Sequence, residues 1–94
     1  VTTFEQAQDV VRKQLAGTQY LFIADWGQES DDYWLIMAGD RRYLAEFNDD
    51  FAQDDDICHL VSKKDGTYEF RSYAGNLEFF DSFKPYGKVP DYFQ

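Results

Sequence analysis

The chain reads as an α+β fold: an N-terminal helix packed on an antiparallel meander of about five strands, with a short C-terminal helix or aromatic tail. Three observations predict this. Helical periodicity dominates the opening residues, short β-rich runs follow, and the connections between those runs are too short for crossover helices.

The opening helix has both its ends written in the sequence. Thr2 and Thr3 stand three residues ahead of Glu5 and Gln6, the spacing of a capping box. Phe4, Ala7, Val11 and Leu15 recur at helical spacing, Val10 widens the stripe, and Gly17 supplies a left-handed stop. A helix is expected over residues 3–16.

The period then changes. Residues 20–26 are dense in β-formers and end at Gly27; GQESDD is a turn; residues 33–37 form a second strand closed by AGDR. Tyr43, Ala45 and Phe47 alternate with Leu44 and Glu46, which predicts a third strand. NDDFAQDDD follows as a polar loop holding one aromatic, Phe51. Residues 57–61 read as a fourth strand, SKKDG as a hairpin turn and residues 67–73 as a fifth strand. Asn76 is placed to cap a short helix through Phe83, stopped by Pro85, and YGKVPDYFQ reads as an extended tail.

The first two strands are apolar on both faces. Leu21 and Ile23 oppose Phe22 and Trp26, while Tyr33, Leu35 and Met37 oppose Trp34 and Ile36. Either both faces are covered, with the aromatic C-terminal stretch (Leu77, Phe79, Phe80, Phe83, Tyr86, Tyr92, Phe93) as a clamp, or one face meets a partner. In the second case that stretch is an exposed patch for a partner or for self-association as a homodimer.

Ninety-four residues make one domain, spanning 1–94. Nine Phe, seven Tyr and two Trp compensate for the short chain, since each aromatic buries about 150–250 Å². A single cysteine, Cys58, excludes an internal disulfide and a cysteine-based zinc site. The opening VTTFEQAQDVV has acids and amides where a signal peptide needs a basic start and an apolar core. The apolar runs are too short to span a bilayer, so a cytoplasmic protein is expected.

Net charge is −9, and its placement is the distinctive feature. Residues 25–56 hold eleven acids against two bases, Arg41 and Arg42; elsewhere seven acids balance seven bases. A simple meander would bring the loop after the first strand and the loop after the third to one end. Glu29, Asp31, Asp32, Asp49, Asp50, Phe51, Asp54, Asp55 and Asp56 would gather there, with Arg41, Arg42, Lys63 and Lys64 at the other. Three readings compete for that acidic end. It is a solvated face, a docking surface for a basic protein with Phe51 as an apolar anchor, or a loose calcium cage. NDDFAQDDD lacks the alternating acids, central glycine and terminal glutamate of an EF-hand loop. Direct nucleic-acid binding is disfavoured, because no basic stripe exists to neutralise phosphates.

No catalytic or cofactor apparatus is recognisable. Cys58 and His59 are adjacent in a strand, so their side chains point to opposite faces and cannot pair. There is no GxSxG elbow and no glycine-rich phosphate loop, and the many carboxylates lie in exposed loops, where nothing raises their pKa for acid catalysis. The reading is therefore a binding module and not an enzyme, with no cofactor. A ligand- or calcium-sensing accessory domain is the alternative.

The opening AQDVVRKQL, the tryptophan strand DDYWLIM and the late hairpin HLVSKKDGTYEF with its following aromatic segment are similar to small bacterial immunity proteins of polymorphic toxin systems, in particular the YrhB-like group. The resemblance implies inhibition of a toxin by tight surface binding, and it transfers no functional residue.

Overall fold

The computed structural model describes residues 1–17, 19–44 and 57–88. The fold is α+β as expected: one helix on a five-stranded antiparallel sheet, with a short helix near the C-terminus.

Helix α1 (Phe4–Gln14) begins at the expected capping box. Thr3 Oγ1 accepts from the Gln6 N–H (3.2 Å) and Gln6 Oε1 accepts from the Thr3 N–H (2.9 Å). Gly17, at φ 94°, carries the chain out of the helix through the left-handed region. Strands β1 (Leu21–Glu29), β2 (Tyr33–Asp40), β3 (Ile57–Ser62) and β4 (Tyr68–Ser72) form a meander, and β5 (Lys84–Gly87) joins the far side of β1. The sheet order is β4-β3-β2-β1-β5.

Two sequence assignments are corrected. Tyr43 and Leu44 do not begin a strand; they end a helical turn, α2 (Arg41–Leu44), while residues 45–47 lie outside the described residues. The Arg41 N–H donates to the Tyr20 carbonyl (2.8 Å) and the Arg42 guanidinium lies 4.2 Å from the Tyr20 ring centre. These contacts turn the chain out of β2 at Asp40, where a residue set with fair helix propensity takes the helical option. The fifth strand comes instead from the expected tail. Residues 84–87 pair antiparallel with β1, Lys84 opposite Glu29 and Gly87 opposite Trp26.

The strands are two-faced as expected, and both faces are covered. On one, Phe4, Ala7 and Val11 of α1 pack on Trp34, Ile36 and Val61. On the other, Phe80 of α3 (Leu77–Phe80) packs with Leu35 and Leu60, flanked by Tyr33, Met37, Cys58, Phe79 and Phe83. The expected aromatic clamp forms only in part. Phe79, Phe80 and Phe83 lie on the face away from α1, whereas Tyr86 lies on the α1 face against Phe4 and Trp34. Leu77 is exposed, and Tyr92 and Phe93 lie outside the described residues. Asn76 does not cap α3 through its side chain; its Nδ2 donates instead to the Ser72 carbonyl (2.8 Å) and fastens α3 to the end of β4. No helix among the described residues is long and apolar enough to cross a membrane.

Strand β1 carries a bulge. Its pairing with β2 jumps from Ile23↔Ala38 to Gly27↔Ile36, so three β1 residues stand against Met37 alone. The even offset keeps Ile23 and Gly27 on the same face. Within the bulge, the Ala24 carbonyl accepts from Gln8 Nε2 (2.7 Å), which ties β1 to α1. Gly27 then passes so close to β2 that a Cβ would overlap the Leu35 carbonyl oxygen and sit 3.3 Å from Phe4 Cε1.

Gly27→Ala should therefore cost about 3 kcal/mol or prevent folding, because backbone cannot yield as a side chain does. Gly75→Ala, whose nearest neighbour would be 3.8 Å away, should stay within about 0.5 kcal/mol of wild type. Urea unfolding of the pair measures both, and equal midpoints would overturn the close-approach argument.

Candidate partner-binding surface

Charge is distributed by strand direction. Because β3 pairs directly with β2 and antiparallel to it, β3 and β4 run opposite to the simple expectation. The β1–β2 turn (residues 30–32) and the β3–β4 turn (residues 63–67) consequently emerge at the same end of the sheet. Lys63 and Lys64 thus sit beside Glu29, Asp31 and Asp32, not opposite them. The ends flanking the second acidic stretch, Asp40 and Ile57, lie at the other end with Arg41 and Arg42. Asp49, Asp50, Phe51, Asp54, Asp55 and Asp56 lie outside the described residues. The expected convergence of the two acidic loops at one end, with the four basic residues at the other, does not follow from this topology.

The end that is described is held by backbone bonds. Ser30 Oγ accepts from the Asp32 and Tyr33 N–H groups (3.4 and 3.2 Å), while the Ser30 N–H donates to the Tyr33 carbonyl (2.9 Å). This tight turn leaves Asp31 and Asp32 exposed. The Lys63 N–H donates to the Asp32 carbonyl (2.9 Å), and the Lys63 carbonyl accepts from the Thr2 N–H (2.7 Å). Three segments distant in sequence are joined in one line.

The Lys63 side chain partly neutralises the acidic rim. Its Nζ is 3.7 Å from Glu29 Oε2 and 4.3 Å from the Trp34 ring centre, combining an ion pair with a cation–π contact. Below it, Trp34 Nε1 donates to the Thr2 carbonyl (2.9 Å). In the neighbouring turn, Asp65 Oδ1 accepts from the Thr67 N–H (3.0 Å), and these bonds, Thr67 first, hold the Asp65 carboxyl below the usual range. Gly66, at φ 75°, closes this Asp-Gly turn as the sequence predicts.

Asp31 and Asp32 stand between two clefts. One, of about 370 Å³, has Tyr33, Phe79 and Phe83 as its aromatic wall and Ser30, Ser82 and Lys84 at its margin. The other runs between the two turns along Ser62, Lys63 and Lys64. The Tyr33 hydroxyl bonds the Glu69 carboxylate, which together with burial raises the tyrosine pKa. Pattern reading found the acids but not the aromatic wall or Lys63. The Lys-Asp-Gly hairpin was the available signal for Lys63, and strand parity hid it.

Cys58 and His59 do point to opposite faces. Cys58 packs beside Leu60 and Phe80, while His59 Nδ1 is 2.9 Å from the Tyr68 hydroxyl on the α1 face. Burial raises the Tyr68 pKa. Among the described residues no three His, Cys, Asp or Glu side chains are grouped to hold a metal ion.

No family model matches the chain, and neither a curated protein nor a solved structure shows significant similarity to it.

Two outcomes check this geometry. Trp34→Phe, which removes the indole N–H from Thr2, should lower stability by about 1–3 kcal/mol in urea unfolding. Asp65→Ala should lower the melting temperature at neutral pH. The Asp65 pKa is depressed by folding, so its contribution is present above the ordinary aspartate pKa and is lost as pH falls through the lowered value. The melting-temperature difference should therefore close in acid, and a gap that persists there would place the effect elsewhere.

Proposed function

We propose that this domain is a protein-binding module that captures a basic partner, acting as an immunity or inhibitor protein in a bacterial cytoplasm. The supporting observation is the confinement of the whole net charge of −9 to residues 25–56. A fold needs no such concentration, and an acidic surface of this density accelerates and orients association with a basic one.

Within the described residues the best-formed receptor is the β1–β2 turn. Two exposed carboxylates, Asp31 and Asp32, flank an aromatic cleft walled by Tyr33, Phe79 and Phe83. Carboxylates suit the charge of a lysine or arginine, and the aromatic wall suits its methylenes and the face of a guanidinium. Glu29, already beside Lys63, supports the turn more than it contacts a partner. The resemblance of the segments AQDVVRKQL, DDYWLIM and HLVSKKDGTYEF to YrhB-like immunity proteins supports a toxin as the class of partner. Asp49, Asp50, Phe51 and Asp54 to Asp56 extend the proposed acidic surface in sequence.

The test is a heteronuclear NMR titration with a hexa-arginine peptide. The amides of residues 30–33 should shift, and binding should weaken at least about tenfold between roughly 50 and 500 mM salt. Asp31→Asn combined with Asp32→Asn should weaken it by a similar factor. Salt-insensitive binding, or shifts centred elsewhere among the described residues, would remove this reading. Co-expression with the product of an adjacent toxin gene gives the cellular version of the test.

A further inference from the structure

The two edges of the sheet are built differently. Among the described residues β4 and β5 are the outermost strands. Strand β5 is four residues long and exposed. The Lys88 N–H donates to the Asp25 carbonyl (3.3 Å), and alternation along the ladder then places Pro85 and Gly87 on the outer side. Pro85 has no N–H to offer there, and Gly87 sits at φ 87°. This is a blunted edge of the kind that prevents strand addition.

Strand β4 has none of these protections. Its five residues, Tyr-Glu-Phe-Arg-Ser, contain no proline, glycine or lysine, and no bulge interrupts its pairing with β3. The Ser62 N–H donates to the Thr67 carbonyl (2.9 Å), which marks that pair as hydrogen-bonded. Alternation then turns the backbone of Glu69 and Arg71 toward β3 and that of Tyr68 and Phe70 outward. Phe70 is 62% exposed on the α1 side of this edge.

We propose that β4 is a homodimerisation edge, pairing antiparallel with β4 of a second copy about a two-fold axis through Phe70. The sequence around Phe70 is self-complementary in that register. Phe70 faces its own copy, and because its N–H and C=O point outward the two residues exchange both backbone bonds. One step away, Glu69 of each chain stands opposite Arg71 of the other, as a non-hydrogen-bonded pair whose side chains approach closely. Glu69 and Arg71 already share one face, with Arg71 Nε 2.9 Å from Glu69 Oε2. The dimer therefore forms an alternating square of four charges with no like-charge neighbour. Tyr68 falls opposite Ser72, whose carbonyl already accepts from Asn76, so the pairing centres on Phe70. A shift of one residue would put Glu69 against Phe70 and turn inward-facing backbone to the partner. Two sheets would join into one of ten strands, burying the Phe70 rings against each other on the α1 side.

This edge is separate from the acidic turn, but Glu69 bonds Tyr33 and Arg71 lies over Phe79 of the cleft beside that turn. Phe70→Lys, on the opposite face, is therefore the variant that tests pairing without touching the cleft. Sedimentation equilibrium at about 0.15 M salt should show the wild-type chain as a dimer. Phe70→Lys, which puts like charges on the axis, should raise the dissociation constant at least about tenfold. Glu69→Arg and Arg71→Glu should each do the same alone, since each sets like charges across the interface. Mixed in equal amounts, those two variants should form a heterodimer, and the double exchange E69R/R71E should restore the homodimer. Unchanged circular dichroism of the monomeric variants, with a cooperative melt that no longer depends on protein concentration, separates lost pairing from lost folding. A wild-type monomer at several hundred micromolar would overturn the proposal. So would a dimer indifferent to all three single substitutions, or a mixture of the two charge variants that stays monomeric.

Discussion

The indole of Trp34 meets three separate segments of the chain. Phe4 of α1 approaches it edge-on at 5.4 Å between ring centres, Tyr86 of β5 at 4.7 Å, and the Lys63 ammonium lies 4.3 Å above it, while its N–H is spent on the Thr2 carbonyl. Phe4 and Tyr86 also touch, at 4.9 Å. Each aromatic pair contributes about 0.5–1.5 kcal/mol beyond the area it buries. More important is what the cluster positions. The start of the helix, the last strand and the β3–β4 turn all take their places from one side chain on a central strand. An indole is suited to this, because it offers a large apolar face and one directed donor that a buried site must satisfy.

The opposite face of the sheet is organised by stacking instead of by a single anchor. Phe79, Phe80 and Phe83 lie mutually within 5.5 Å, centre to centre, and cover Leu35 and Leu60. Arg71 lies 4.0 Å from the Phe79 ring centre and links this cluster to the β4 edge. Together the two clusters make a thin two-sided core sufficient for a short chain, since aromatic side chains bury much area per residue. The cost is carried by the backbone: Gly27 and Gly87 allow approaches to Leu35 and Asp25 that no side chain permits, and both flank the β1 bulge. That bulge shifts the register of β1 against β2, and β5 pairs with the residues at and after it, Trp26 to Glu29.

The acidic surface acquires a different character in three dimensions. Read linearly, it is a block of like charge. In the fold, Lys63 and Lys64 border its first part, and Glu29 is engaged with one of them. Of that first part, Asp31 and Asp32 remain exposed beside an aromatic cleft, a more selective arrangement than a diffuse negative field. Long-range attraction still follows the net charge of −9, whereas recognition at short range follows the cleft.

Local pattern alone determined much of this protein. The capping box at Thr3 and Gln6, the helical stripe of Phe4, Ala7 and Val11, the two-faced β2 strand and the Asp-Gly hairpin were all legible, because each depends on residues within a few positions of one another. The opposition of Cys58 and His59 followed from strand geometry in the same way. Tertiary structure decided the rest. The alternation at residues 43–47 suits a strand on paper, yet Tyr43 and Leu44 close a helical turn set by Tyr20, some twenty positions earlier in the chain. Pairing of β5 with β1 rests on Phe4, Trp34 and the two close-approach glycines, none of them near residues 84–87 in sequence except Gly87 itself. Strand parity is a global property: one strand more or fewer reverses the end at which every later turn emerges. That is why the acids could be counted from the sequence, while their lysine neighbours could be found only in the fold.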